Sequence, residues 1–450
     1  MMTFDRVLSE LIRVCSDNAA TDDAIARYAI VRDVRGRVRL VVEQPKPALP
    51  LDALELALSA ALRDWFVGPV ISTAARTDLR HLAEKVLERA KSKWPTGWPR
   101  SLRNVLGGQD TPLDAGGRWT GIERTIGKEA WLTTTPPKPP WKLVKGKTPP
   151  IVTFHSFKGG VGRTTLVAVY AIRLASRKKP RRVAIVDLDL EAPGVGDLFG
   201  VRTERGTLDV IVDHIATGVL NLDGASAVAQ VDPSIDPHIT VFPAGRIDAA
   251  YVQKLARLDF SSAEPEAGNP VGLALTAMLE RMKANFDVIL LDSRAGLHDI
   301  AGMSIHGLAH IDVLTFRGTT QNFVGLEQTL RTLGRRDRAG IVLVETLLPA
   351  TDDALYRSRH ERTRDRVYEM MCEHVYDENS PPQLGDIGEP HDVVSVRRRD
   401  WLDGIDSLKG RVNDVLSDSE LRQFAARVDE KCLLEAEVEP DAADDEEEPT

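Results

Sequence analysis

The feature that most constrains this chain is the run Phe157-Lys158-Gly159-Gly160-Val161-Gly162-Arg163-Thr164-Thr165, set between an apolar stretch at 151–154 and a helical pattern at 165–176. Three glycines let backbone N–H groups turn inward, and the start of the following helix adds partial positive charge. A strand, a glycine loop and a helix in this order hold phosphate oxygens. The alternative is a glycine-rich turn with no ligand, which the length and setting of the run disfavour. Residues 158–165 are therefore the expected nucleotide-binding loop. Thr164 stands where a loop hydroxyl reaches Mg2+, and Thr165 where a second hydroxyl reaches the next phosphate. The residue before the threonine pair is Arg163 rather than lysine. Its planar fork grips phosphate bidentately, but it does not reproduce the point charge of an ammonium.

Downstream, short apolar stretches recur at 182–186, 239–242, 287–291, 312–316 and 340–344, with helical patterns between them at 272–283 and 325–333. Continuously apolar strands separated by helices predict an α/β fold, a mostly parallel sheet with helices on both faces. The stretch ending at Asp292 delivers a carboxylate from a buried strand toward the loop, where it would join the shell of a Mg2+ ion. Two residues on, Arg294 is a candidate to supply the positive charge that a loop lysine would give. Its alternative is a pair with a surface carboxylate.

The run Lys-Gly-Gly-Val-Gly-Arg at 158–163 resembles the ParA/MinD family of ATPases, in particular a branch with arginine at the last position. The resemblance covers roughly residues 150–430. It implies that Lys158 reaches across a nucleotide-sandwich dimer to the partner's phosphates. The stretch Asp187-Leu-Asp189-Leu-Glu-Ala-Pro193 resembles the first switch of that family. By that match Asp189 orients the attacking water, and Asp187 supports the loop or the metal shell. The catalytic set implied is Lys158, Asp189 and Arg294, the metal set Thr164, Asp187 and Asp292, and the cofactors ATP and Mg2+. Base-binding residues are expected around 346–350, where no guanine signature stands.

Residues 1–93 read as a small α+β domain, with helices at 4–15, 51–66 and 78–90 and strands at 28–31 and 38–42. Residues 94–150 are a connecting segment rich in proline that holds five of the seven tryptophans. So many large aromatics predict docking on the next domain rather than a free linker. The α/β domain spans 151–432. Residues 433–450 form an acidic tail, expected to be disordered because it has little apolar surface to bury. That tail accounts for the net charge of -9, since 435–450 carries nine acidic residues and no basic one.

Three scattered cysteines exclude a disulfide framework or a CxxC metal site, and with them the iron–sulfur relatives of the resembled family. His306 and His310 lack the glutamate of a zinc helix. Neither a secretory signal nor an apolar run of spanning length is seen, so the expected location is the cytoplasm. The arginine-rich stretches 331–338, 357–366 and 397–399 are interleaved with acids, which favours solvated helices over a DNA surface. The expected function is a Mg-ATP-binding switch that dimerises with nucleotide and hydrolyses it slowly, with a protein partner at the N-terminal domain and no membrane attachment. The rivals are a non-hydrolysing nucleotide-binding regulator and a DNA-binding partition protein.

Overall fold

The computed structural model describes residues 2–18, 25–44, 50–74, 77–90, 95, 98, 113, 118–124, 127–132, 139–258, 260, 269–334, 340–349 and 354–435. The chain divides into two compact units, Met1–Gly127 and Lys128–Thr450.

In the first unit, α1 (Phe4–Asp17), β1 (Arg27–Arg32), β2 (Val38–Glu43), α2 (Asp52–Leu62), β3 (Ile71–Ser72), α3 (Thr77–Arg89) and β4 (Trp119–Glu123) follow in order. The sheet runs β3-β2-β1-β4. Only the β1–β2 pair is antiparallel. α1 buries Val7, Leu8, Leu11, Ile12 and Cys15, the one-sided spacing of an amphipathic helix, into a core shared with Leu54, Leu58 and Leu62 of α2. Strand β4 lies within the segment expected to connect the domains. Trp119 stacks on Tyr28 with ring centroids 4.1 Å apart, and the Trp98 indole donates to Glu123 at 2.6 Å. A Cβ at Gly121 would lie 2.5 Å from the Trp98 ring, so this glycine leaves room for the indole. The compact unit therefore runs past residue 93. The tryptophans of 94–150 divide, with Trp98 and Trp119 in the core of the first unit and Trp131 and Trp141 in clusters of the second. Trp94 lies outside the described residues.

The second unit contains α4 (Glu129–Leu132), β5 (Ile151–His155), α5 (Arg163–Ala175), β6 (Val183–Leu188), α6 (Val195–Leu198), α7 (Thr207–Thr217), β7 (Ala227–Val228) and β8 (Ile239–Phe242). After these come α8 (Ala249–Leu255), α9 (Pro270–Met282), β9 (Val288–Ser293), α10 (Asp299–Met303), β10 (Ile311–Phe316), α11 (Thr320–Leu333) and β11 (Ile341–Leu348). The last elements are α12 (Ala354–His374), β12 (Val394–Arg397), α13 (Val412–Ser417) and α14 (Ser419–Lys431). Eight strands form one sheet in the order β12-β11-β10-β5-β9-β6-β8-β7. Only β7 is antiparallel, at one edge. The fold is thus α/β with a mostly parallel sheet. Every residue of β5, β6, β9 and β10 is buried, which explains why these strands read as mainly apolar stretches rather than alternating ones.

α5 is anchored at its far end. The guanidinium of Arg173, almost fully buried, donates to the carbonyls of Val415, Leu416 and Asp418 at 2.9–3.0 Å. Tyr170 donates to Asp429 of α14 at 2.8 Å. The helix that carries the glycine loop is thereby fixed to the C-terminal helices. Among the described residues, no helix is long and apolar enough to cross a membrane. Nearly all of the acidic tail and residues 335–339 lie outside the described residues.

Candidate functional site

β5, β9 and β6 are neighbours, so their C-terminal ends bring the glycine loop and two carboxylate-bearing strand ends together. Asp292 sits opposite Phe154 on one side and Asp187 on the other. The loop turns through left-handed backbone at Gly160 (φ 71°) and Gly162 (φ 79°), where a side chain would be strained. A Cβ at Gly159, Gly160 or Gly162 would meet no protein atom within 4 Å. Packing therefore does not demand glycine here. The small residues leave open space along the loop, as a phosphate cradle requires. Lys158 is exposed, its ammonium 5.6 Å from the Phe157 ring centroid.

The loop is braced from three sides. The Thr346 hydroxyl donates to the Val161 carbonyl at 2.6 Å, so the region expected to bind the base touches the loop backbone. Gly296 N–H, at left-handed φ, donates to the Ser156 carbonyl at 2.9 Å. Phe157 packs on α11 so closely that a Cβ at Gly325 would lie 1.8 Å from its ring. Gly325→Ala should force Phe157 and the loop root to shift, at a cost of about 1–3 kcal/mol. A denaturant midpoint equal to wild type would show that the contact is slack.

Arg163 does not face the open loop. Its Nε donates to Asp292 Oδ1 at 2.7 Å, and its Nη2 donates to Asp189 Oδ2 at 2.8 Å and to the Thr164 hydroxyl at 3.3 Å. The side chain is buried, as are those of both carboxylates. Each carboxylate keeps one buried oxygen without a hydrogen-bond partner, Oδ1 of Asp189 and Oδ2 of Asp292. Burial raises the Asp292 pKa, opposed by Arg163. Two orphaned carboxylate oxygens beside a hydroxyl are hard donors of the kind Mg2+ selects, so Thr164, Asp189 and Asp292 fit that ion.

Asp187 is engaged differently. Its Oδ1 accepts from Asp189 N–H at 3.1 Å, and its Oδ2 from Gly194 N–H at 3.2 Å and Val195 N–H at 3.3 Å. Both oxygens thus accept hydrogen bonds from the turn after β6. Burial first, and the Asp292 carboxylate second, raise its pKa. A cavity of about 480 Å3 opens beside this turn, lined in part by Asp187, Gly194, Arg202 and Arg246.

Arg294 pairs with Glu191 of the same turn. His298 stands 3.4 Å from Glu191 as well. Glu191 and His298, which no sequence motif marks, thus bridge the turn after β6 and the loop after β9. The connecting segment reaches the same loop. The Trp131 indole donates to the His298 carbonyl at 2.8 Å, and the Lys128 ammonium pairs with Asp299 at 2.8 Å. A Cβ at Gly302 would come within 2.7 Å of that indole.

His310 accepts from Ile151 N–H at 3.0 Å, and burial lowers its pKa to about 4. His306 is buried with its ring 5.9 Å from that of Trp131. His310 thus holds the start of β5, and His306 stands in the core beside Trp131. The arginines of 397–399 pair with Glu420, Asp403 and Asp418.

A parallel sheet with a glycine loop leading into α5, and oxygen donors at the neighbouring strand ends, defines a P-loop NTPase-type domain. No protein-family model matches the chain. A protein of Emiliania huxleyi assigned as a septum site-determining protein, MinD, is 23% identical over 255 residues, 55% of this chain and 78% of that protein. The MinD of Pyrococcus horikoshii, solved with Mg-ADP, is 21% identical with a TM-score of 0.35, covering 48% of this chain and 76% of that one. The ParA of pNOB8, solved bound to nonspecific DNA, is 18% identical with a TM-score of 0.43, covering 63% and 98%. In its loop, its strand-end carboxylates and its 23% identical relative, the chain is similar to the MinD/ParA family of P-loop ATPases.

Proposed function

We propose that this protein is a Mg-ATP-dependent molecular switch that dimerises around its nucleotide and hydrolyses it slowly. The observation that carries this reading is the open glycine loop beside Thr164, Asp189 and Asp292, two of whose carboxylate oxygens lack a hydrogen bond. The loop N–H groups and the start of α5 hold the phosphates. Thr164, Asp189 and Asp292 would hold Mg2+, which when bound neutralises charge on the phosphates. Exposed Lys158 is free to reach a second copy, and Asp189 orients water once Arg163 releases it. Lys128 and Trp131 tie the segment that leads from the N-terminal unit to the loop after β9, a path by which a partner of that unit would read the nucleotide state.

Arg163 on Asp189 favours a second reading, a regulator that binds nucleotide without turnover. The ion pairs of Arg397, Arg398 and Arg399 weigh against DNA binding, although the pNOB8 relative binds DNA. Titration of a fluorescent ATP analogue with Mg2+, competed by ATP and by GTP, tests the common core of both readings. Saturable binding displaced by ATP at concentrations at least about tenfold below GTP is expected. No saturable binding overturns both.

A further inference from the structure

The oxygens that fit Mg2+ are the oxygens that Arg163 holds. Its guanidinium lies among Asp292 at 2.7 Å, Asp189 at 2.8 Å and Thr164 at 3.3 Å, with its side chain 91% buried. A forked cation in this place satisfies one oxygen of each carboxylate and repels a second cation brought to the same group. Three features make the place built rather than incidental. Asp292 is held between β5 and β6 by ladder pairing on both sides. Asp189 is held by its own N–H on Asp187. Arg163 is the first residue of α5, whose far end is pinned through Arg173 and Tyr170.

We propose that Arg163 is a built-in competitor of the divalent cation, seated among Thr164, Asp189 and Asp292 while the loop is free of nucleotide. This inference rests on the switch reading. Phosphate entering the loop offers the guanidinium a bidentate partner, draws it off the two carboxylates, and leaves them to the cation. Nucleotide therefore precedes the cation, and the free protein carries no divalent cation at this site. A loop lysine, a point charge on a flexible stem with no fork, bridges both carboxylates less well. The arginine in its place thus couples cation entry to nucleotide.

The test is Mn2+ binding to the nucleotide-free full chain, read from loss of the free Mn2+ paramagnetic signal. Wild type, Arg163→Gln, Arg163→Ala and Arg163→Lys are compared, and metal-free affinity for a fluorescent ATP analogue is measured on the same samples. Arg163→Gln and Arg163→Ala should bind Mn2+ at least about tenfold more tightly than wild type, with Arg163→Lys between. Adding Asp292→Asn to Arg163→Gln should remove the gain. Should Arg163→Ala fold poorly, Mn2+ should raise its thermal midpoint and leave that of wild type unmoved. Analogue binding by wild type together with equal Mn2+ affinity in wild type and Arg163→Gln overturns this inference alone. Absence of analogue binding overturns the switch reading and this inference with it.

Discussion

Lys158→Ala should bind ATP within a few-fold of wild type, yet fail to dimerise with ATP and lose turnover by roughly 10^3-fold, the scale of a charge supplied in trans to phosphoryl transfer. The reasoning is geometric. Lys158 is exposed at the mouth of the loop, its ammonium 5.6 Å from the Phe157 ring centroid, while in the proposed reading the glycines and the start of α5 do the holding. Removing it leaves the cradle intact and deletes a charge that a second copy would receive. Gel filtration with a non-hydrolysable analogue, alongside phosphate release, separates the two effects. A variant that still dimerises and turns over at the wild-type rate would mean that Lys158 plays no part across an interface.

Arg163→Ala should destabilise the nucleotide-free protein by about 3–5 kcal/mol, because it strands two buried carboxylates that share one cation. The loss should depend on pH, and its sign follows from protonation. Burial already raises Asp292 above its ordinary 3.8, and Arg163 is the main influence that opposes the rise. Without Arg163 the folded carboxyl holds its proton more strongly than the unfolded chain does. Stability then falls as pH rises above about 4 toward the folded pKa, so the deficit against wild type is smaller in acid and larger near neutrality. Urea unfolding at pH 5 and pH 7.5 reads it. An equal deficit at both values would indicate lost packing rather than an uncompensated charge.

Much of the architecture is legible in the sequence for a physical reason. β5, β6, β9 and β10 are buried on both faces, so each reads as a mainly apolar stretch without strict alternation, and the glycine loop marks which strand leads into α5. β7, β12 and β4 escape such reading. β7 is an edge pair of two residues, too short for a period to show, and β12 is an edge strand of four in which Ser395 and Arg397 break the apolar run. β4 carries Gly121 and lies in a segment rich in turn formers. What holds it is remote, the Tyr28 ring under Trp119 and Trp98 seated on the glycine, and local pattern carries no trace of contacts that distant. The candidate site divides in the same way. Its residue types at 158–165, 187, 189 and 292 follow from spacing and resemblance, because chemistry dictates them. Where Arg163 and Arg294 point is decided by which carboxylates the folded sheet brings near, Asp292 and Asp189 for one and Glu191 for the other. Two long side chains with several candidate partners have no local rule to choose among them.

The most direct measurement is the mass of the purified full chain by light scattering with a non-hydrolysable ATP analogue and Mg2+, against ADP and Mg2+ at the same protein concentration. A nucleotide-dependent switch predicts the mass of two chains with the analogue and of one with ADP. The same mass in both, with the analogue shown to be bound, would contradict it.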